Sequence, residues 1–128
     1  MGSPVITLKN GVRVANFSSP HPFTFVDGSV LPACSPERAQ ATKLESIETP
    51  VPHPTLPGVV DISLRWGMTH AIASDLAVLN ERDDVDVVLV PFPVMTALKE
   101  AGQPVGKARV IRVADRVAKT IFTDKFCA

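Results

Sequence analysis

The sequence predicts an α+β fold, in which N-terminal β-hairpins and a mixed β-sheet pack with about three short helices. Two observations carry this prediction. The turn signals Asn10-Gly11 and Asp27-Gly28 each stand between short runs typical of strands. The segment 85–90 is almost continuously apolar and rich in β-branched residues. It is followed by apolar residues at the spacing of an α-helix.

The first third of the chain is predicted to form consecutive β-hairpins. Strands over 4–9 and 12–17 flank the Asn-Gly pair, and a second hairpin joins 23–25 to 29–31. A first helix is then expected from Ser35 to about residue 44, because Ser35 suits an N-cap and a proline and a glutamate follow it.

The middle of the chain predicts two strands and a second helix. A strand is expected within 44–49, a proline-rich surface loop over 50–58, and a half-exposed strand over 59–66. Thr69 then caps a helix over 70–81. Three apolar side chains of that helix are predicted to face inward: Ile72, Leu76 and Leu79.

The segment 85–102 is interpreted as a buried strand running into the third helix. Pro93 suits the first helical turn, and Gly102 suits the end. The inward face is predicted to carry Val94, Leu98 and Ala101. The alternative is a ligand pocket at the carboxyl end of this strand. Two prolines remove backbone donors there, so that turn is a poor phosphate cradle.

The C-terminal stretch is predicted to contain two strands, over about 110–113 and 117–122, because β-branched residues dominate it. A helix over 113–121 stays open as the alternative, since Val113, Val117 and Ile121 are spaced by four.

Composition limits the classes of function. The 128 residues are expected to form one compact domain, 1–128. A net charge of zero argues against general nucleic-acid binding. No hydrophobic segment is long enough to predict a membrane span or a signal peptide. With only two cysteines, Cys34 and Cys127, a cytoplasmic protein with free thiols is expected.

Charge is distributed unevenly along the chain. Residues 1–98 hold six Lys/Arg and ten Asp/Glu, a balance of −4, whereas 99–128 hold seven and three, a balance of +4. One interpretation is a solvated, salt-bridged surface; another is charge pairing between subunits. The third is a site for an anion, with these basic residues as candidates: Lys107, Arg109, Arg112, Arg116, Lys119 and Lys125.

The ligand-binding residues predicted from this cluster are Lys107, Arg109, Arg112 and Arg116. His21 is added to them, because an oligomer could bring its proline-rich loop, 18–22, to the basic tail.

Catalytic and metal-binding patterns are weak. His21, His53 and His70 share no metal-ligand spacing, so no metal and no cofactor are predicted. Cys34 precedes a predicted helix start, which lowers a thiol pKa, but no histidine is placed beside it as a base. No phosphate-binding loop, dinucleotide fingerprint or serine-hydrolase elbow is present.

Three segments resemble small uncharacterised proteins encoded by tailed phages: NGVRVANFSSPH at 10–21, continuing to 28; VPFPVM at 90–95; and DRVAKTI at 115–121, continuing to 127. The resemblance implies a viral origin, and hence the host cytoplasm. Small non-enzymatic binders and inhibitors of host systems are common among viral proteins. It carries over no functional residue.

The leading functional hypothesis is a non-enzymatic, homo-oligomeric protein that binds or sequesters a small anionic ligand such as a nucleotide. The first alternative is an interaction module or inhibitor that acts on a host protein through its proline-rich loops, 18–22 and 50–57. The second is a small hydrolase that uses Cys34 or a histidine.

Overall fold

A computed structural model describes residues 3–37, 45–67 and 69–128. Nine strands and two helices lie within these ranges. The strands are β1 Val5–Thr7, β2 Arg13–Asn16, β3 Phe23–Phe25, β4 Val30–Leu31, β5 Glu45–Pro52, β6 Val60–Gly67, β7 Val87–Leu89, β8 Ala108–Asp115 and β9 Thr120–Cys127; the helices are α1 His70–Glu81 and α2 Phe92–Glu100.

Seven strands form one mixed sheet in the order β1-β2-β7-β8-β9-β3-β4. The pairs β2–β7, β7–β8 and β3–β9 are parallel, and the other three pairs are antiparallel. The last strand, β4, lies against β1 and β2 at the other end of the order. The sheet is therefore a nearly closed barrel.

The predicted fold class is wrong. It placed about three short helices on a mixed sheet, whereas the described chain is mostly β, with a nearly closed barrel, a second small sheet and the two helices above. Most of the helix predicted from Ser35 falls on residues 38–44, outside the described ranges. Sequence periodicity is local, and the pairings that curl this sheet join distant segments such as β3 and β9.

The core lies on both faces of the parallel strands. In β7, Val88 packs in the same cluster as Ile72 of α1 and Leu98 of α2. The next residue, Leu89, packs on the opposite face with Phe25 of β3. Both faces of β7 are thus covered, which explains why 85–90 is apolar at nearly every position.

The two N-terminal hairpins are confirmed. β1 pairs antiparallel with β2, and the Asn10 side-chain Oδ1 accepts from the Val12 N–H at 3.0 Å. β3 pairs with β4, and the Asp27 carboxylate accepts from the Ser29 N–H at 2.7 Å. In each turn the glycine after Asn10 or Asp27 has a positive φ, near 90°.

The helix predicted over 70–81 is confirmed residue for residue as α1. The Thr69 hydroxyl accepts from the Ile72 N–H at 3.2 Å, and the three predicted inward side chains are buried. Helix α2 buries Val94 and Leu98 as predicted, but Ala101 is exposed at the C-cap. Within the described residues, neither helix is long and apolar enough to cross a membrane.

Two C-terminal strands are present as predicted, but the second begins at Thr120 and not at 117, and the alternative helix over 113–121 is wrong. Residues 116–119 form the turn between β8 and β9, with Val117 94% exposed. The Asp115 carboxylate accepts from the backbone N–H groups of Val117 and Ala118 at 2.9 and 3.3 Å. Lys119 has φ +57°. The spacing of four was therefore a strand–turn–strand pattern.

Strands β5 and β6 form a separate two-stranded sheet, here called the ribbon (45–67). The loop predicted over 50–58 is partly wrong, because β5 continues to Pro52. β6 lies near α2. The half-exposed character predicted for this strand is seen at Val60 and Ile62, which are each 52% exposed.

Candidate ligand cleft

A first concave surface lies between β3, β8 and β9 and has a volume of about 390 Å³. We call it the cationic cleft, because it contains two basic side chains, Arg116 and Lys119. Its lining is Pro22, Phe23, Thr24, Ile111, Val113, Arg116, Lys119 and Ile121. Apolar strand residues thus form most of the wall, and the charge comes from the β8–β9 turn.

A second concave surface, the apolar cleft, has a volume of about 430 Å³. It lies beyond the carboxyl ends of the parallel strands β2 and β7, where a pocket was the alternative interpretation of segment 85–102. Its lining is Ser18, Ser19, Pro20, Phe23, Leu89, Val90, Pro91, Phe92, Val110 and Ile111. It contains no charged side chain.

The two clefts are neighbours, because Phe23 and Ile111 line both. One chain segment, residues 18–24, contributes to each of them, and we call it the cleft loop. The loop is anchored at its start by the fully buried Asn16, which hydrogen-bonds the Ser19 backbone. Prolines at 20 and 22 limit its backbone freedom further.

The β8–β9 turn holds the cations of the cationic cleft without neutralising them. Asp115 is the acidic residue nearest in sequence, and its carboxylate accepts the turn N–H groups described above. Neither Arg116 nor Lys119 forms an ion pair or a hydrogen bond with another described residue. Both charges are therefore available to an anion.

The predicted basic residues do not all share one location. Lys107 lies before β8, and its Nζ donates to the Arg82 carbonyl oxygen at 2.6 Å. Arg109 donates from Nη1 to two nearby carbonyl oxygens, at 2.8 and 2.7 Å. Six strand residues, 110–115, separate Arg109 from Arg116, which corresponds to roughly 20 Å. Lys107 and Arg109 thus donate to backbone carbonyl oxygens near the start of β8, at the end away from Arg116.

Arg112 and His21 line neither cleft. Arg112 is exposed on β8 and pairs with no described residue. His21 is exposed in the cleft loop, where its N–H donates to the Ser19 Oγ at 3.1 Å and its carbonyl accepts from that hydroxyl at 3.0 Å. Of the five predicted ligand residues, only Arg116 lines either of these two clefts.

Sequence reasoning overlooked three cleft residues: Ser18, Phe23 and Phe92. Phe92 is 70% exposed at the start of α2, between the predicted buried strand and the predicted inward face of the helix, and it was given no role. A signal was present, because Phe92 is flanked by Pro91 and Pro93 and so cannot continue the strand.

Two of the catalytic candidates, Cys34 and His53, occupy structural positions. Cys34 is 7% exposed, and its thiol donates to the Asn16 carbonyl oxygen at 3.3 Å, which suits a packed rather than a reactive thiol. The His53 Nδ1 accepts from the N–H groups of Thr55 and Leu56 within its own loop. Across the described ranges, no group of three His, Cys, Asp or Glu side chains is placed to hold a metal.

Comparisons with known proteins give no relative. No protein-family model matches the chain, and neither the curated proteins nor the solved structures include a match. The function must therefore be argued from the clefts themselves.

Proposed function

We propose that the protein is a non-enzymatic binder that holds a small anionic ligand in the cationic cleft. The observation that carries this proposal is the position of Arg116 and Lys119, two cations in one concave surface with no carboxylate partner among the described residues. A guanidinium is planar and can donate two parallel hydrogen bonds to a phosphate or carboxylate. The apolar wall beside it lowers the effective dielectric and strengthens that attraction.

We further propose a homo-oligomer that acts in the cytoplasm, of a host cell if the chain is viral as its resemblance to phage proteins implies. The opposite charge balances of 1–98 and 99–128 support association between copies. Native mass spectrometry of protein purified from cells measures subunit number and any retained ligand together. A strictly monomeric protein would remove the oligomer from the proposal.

The test of ligand binding is calorimetry at low salt with inorganic phosphate, pyrophosphate and nucleoside monophosphates as probes. Arg116→Ala and Lys119→Ala should each weaken binding of the phosphate group several-fold or more. Arg112→Ala is the matched control, because it removes an exposed cation of the neighbouring strand β8 that lies outside both clefts. Equal effects of all three substitutions, or no binding of any probe by the wild type, would contradict the proposal.

A second candidate function is a protein-interaction module, and the ribbon favours it. Five apolar side chains there are 45–52% exposed: Val51, Leu56, Val59, Val60 and Ile62. A two-stranded sheet is marginal alone and gains stability when it packs against another surface. Apolar exposure of this kind is typical of interaction sites.

The ribbon can be tested separately from the clefts. Ile62→Asp should abolish a stoichiometric host-protein complex in a pull-down, while Arg112→Ala and Arg116→Ala should leave it intact. Val78→Asp is the control, because Val78 is 59% exposed but lies on α1. A complex that is lost with the arginines and kept with Ile62→Asp would count against this second function.

A further inference from the structure

The apolar cleft has the shape and chemistry of a subsite for an uncharged ring. Pro20, Pro91 and Val90 contribute apolar surface, and Phe92 places an aromatic side chain that is 70% exposed. Pro91 has no N–H, so this end of α2 offers little to an anion. Its volume of about 430 Å³ lies in the range of small-molecule sites.

Ser18 adds one polar group to this subsite. The residue is 7% exposed and lines the apolar cleft, yet its hydroxyl makes no hydrogen bond with another described residue. No side-chain polar atom that is fully enclosed among the described residues lacks a partner. The Ser18 hydroxyl therefore retains accessible surface, and because Ser18 lines the cleft, this group can donate to or accept from a bound molecule.

The apolar and cationic clefts are adjacent, and Phe23 and Ile111 belong to the lining of both. A molecule that spans them meets aromatic surface and one hydroxyl at one end, and Arg116 with Lys119 at the other. Inorganic anions, sugar phosphates and simple carboxylates would fill only the cationic cleft. A heteroaromatic ring joined to a phosphate matches both halves.

We propose that the ligand is a nucleotide, with its base in the apolar cleft against Phe92 and Ser18 and its phosphate at Arg116 and Lys119. This inference rests on the proposed function, because it assigns the second half of the same ligand. It adds Phe92 and Ser18 as the residues that recognise the base. Stacking on an aromatic side chain accepts any base, whereas the hydroxyl can favour particular base edges.

The experiment compares AMP, GMP, CMP and UMP with ribose 5-phosphate by calorimetry on the full chain. At least one nucleoside monophosphate should bind about tenfold or more tightly than ribose 5-phosphate. Phe92→Ala should remove most of that difference, and Ser18→Ala should reduce it about three- to tenfold for the preferred base. Both substitutions should leave the affinity for ribose 5-phosphate unchanged.

The controls separate this inference from the proposed function. Val78→Ala removes exposed apolar surface away from the clefts and should change nothing. If ribose 5-phosphate binds as tightly as every nucleoside monophosphate, or Phe92→Ala leaves the ratio unchanged, the base subsite is refuted. The proposed function then survives if Arg116→Ala still weakens ribose 5-phosphate. If no phosphate compound binds, both fail.

Discussion

The side-chain amide of Asn16 hydrogen-bonds both the N–H and the carbonyl oxygen of the Ser19 backbone. Its Oδ1 accepts from the Ser19 N–H at 2.9 Å, and its Nδ2 donates to the Ser19 carbonyl at 3.2 Å. The same Nδ2 donates to the Pro32 carbonyl at 3.0 Å. Asn16 is fully buried at the end of β2, so one side chain fixes how the chain enters the cleft loop.

Replacing Asn16 by Ala should therefore destabilise the protein by about 2–3 kcal/mol, because it removes three partly buried hydrogen bonds to the backbone and leaves a cavity at a fully buried position. Urea unfolding followed by circular dichroism measures the change. Asn10→Ala is the control: Asn10 also hydrogen-bonds backbone, to Thr123, but in an exposed turn. An equal or larger loss for Asn10→Ala would contradict the role assigned to Asn16.

Arg116→Ala should weaken binding of a phosphate-bearing ligand by about 1.5–3 kcal/mol, the range for a charged hydrogen bond. Arg116→Lys should restore only part of it, because an ammonium lacks the planar fork. Both variants should keep the wild-type unfolding midpoint, since an exposed cation without a partner contributes little to folding. Full rescue by lysine would show that only the charge matters at this position.

The pair formed by Arg13 and Asp86 should make stability depend on pH. Arg13 donates to the Asp86 carboxylate from Nη2 at 2.9 Å, Nε at 3.1 Å and its backbone N–H at 2.9 Å. The side-chain hydrogen bond from Arg13 is the main cause that lowers the pKa of Asp86 from 3.8 to about 2. The folded state thus binds this proton more weakly than the unfolded state does.

The stability that Asp86 contributes is therefore present above pH 4 and is lost as pH falls from about 4 to about 2. Thermal unfolding at several pH values should show that the unfolding midpoint falls less steeply between about pH 4 and pH 2 for Asp86→Asn than for the wild type. Asp124→Asn, which removes an exposed carboxylate without an ion pair among the described residues, should keep the wild-type slope. Identical slopes for the wild type and Asp86→Asn would refute the linkage.

The two thiols should differ in reactivity. Cys127 is exposed near the end of β9, whereas Cys34 is buried and donates to the Asn16 carbonyl. Iodoacetamide should therefore modify Cys127 first in the native protein, and Cys34 only after unfolding. Peptide mapping by mass spectrometry distinguishes the sites. Rapid native labelling of Cys34 would return it to the list of candidate nucleophiles.

Local sequence patterns were sufficient for most individual elements. Asn10-Gly11 and Asp27-Gly28 marked both hairpins, and Thr69 with its following apolar spacing marked α1. The closure of the sheet was not predictable in this way. It depends on parallel pairs such as Val14 with Val87, whose strands carry no local sign of their partner.

The candidate site was less predictable than the fold. Arg116 was found because it belongs to a basic cluster, but charge alone did not separate it from Lys107 and Arg109, which donate to backbone carbonyl groups. Phe92 was missed because hydropathy assigns an apolar residue to the interior. Only the fold places it at a cleft.

The position of β9 between β8 and β3 has a consequence for biosynthesis. Thr24 of β3 pairs with Thr120 of β9, so a strand made early during translation has no neighbour on that side until residues 120–127 emerge from the ribosome. Pairings across such sequence distances slow folding, because a large loop must close first. The nascent chain therefore presents an open β-edge for most of its synthesis, a state in which chaperones protect other β proteins from aggregation.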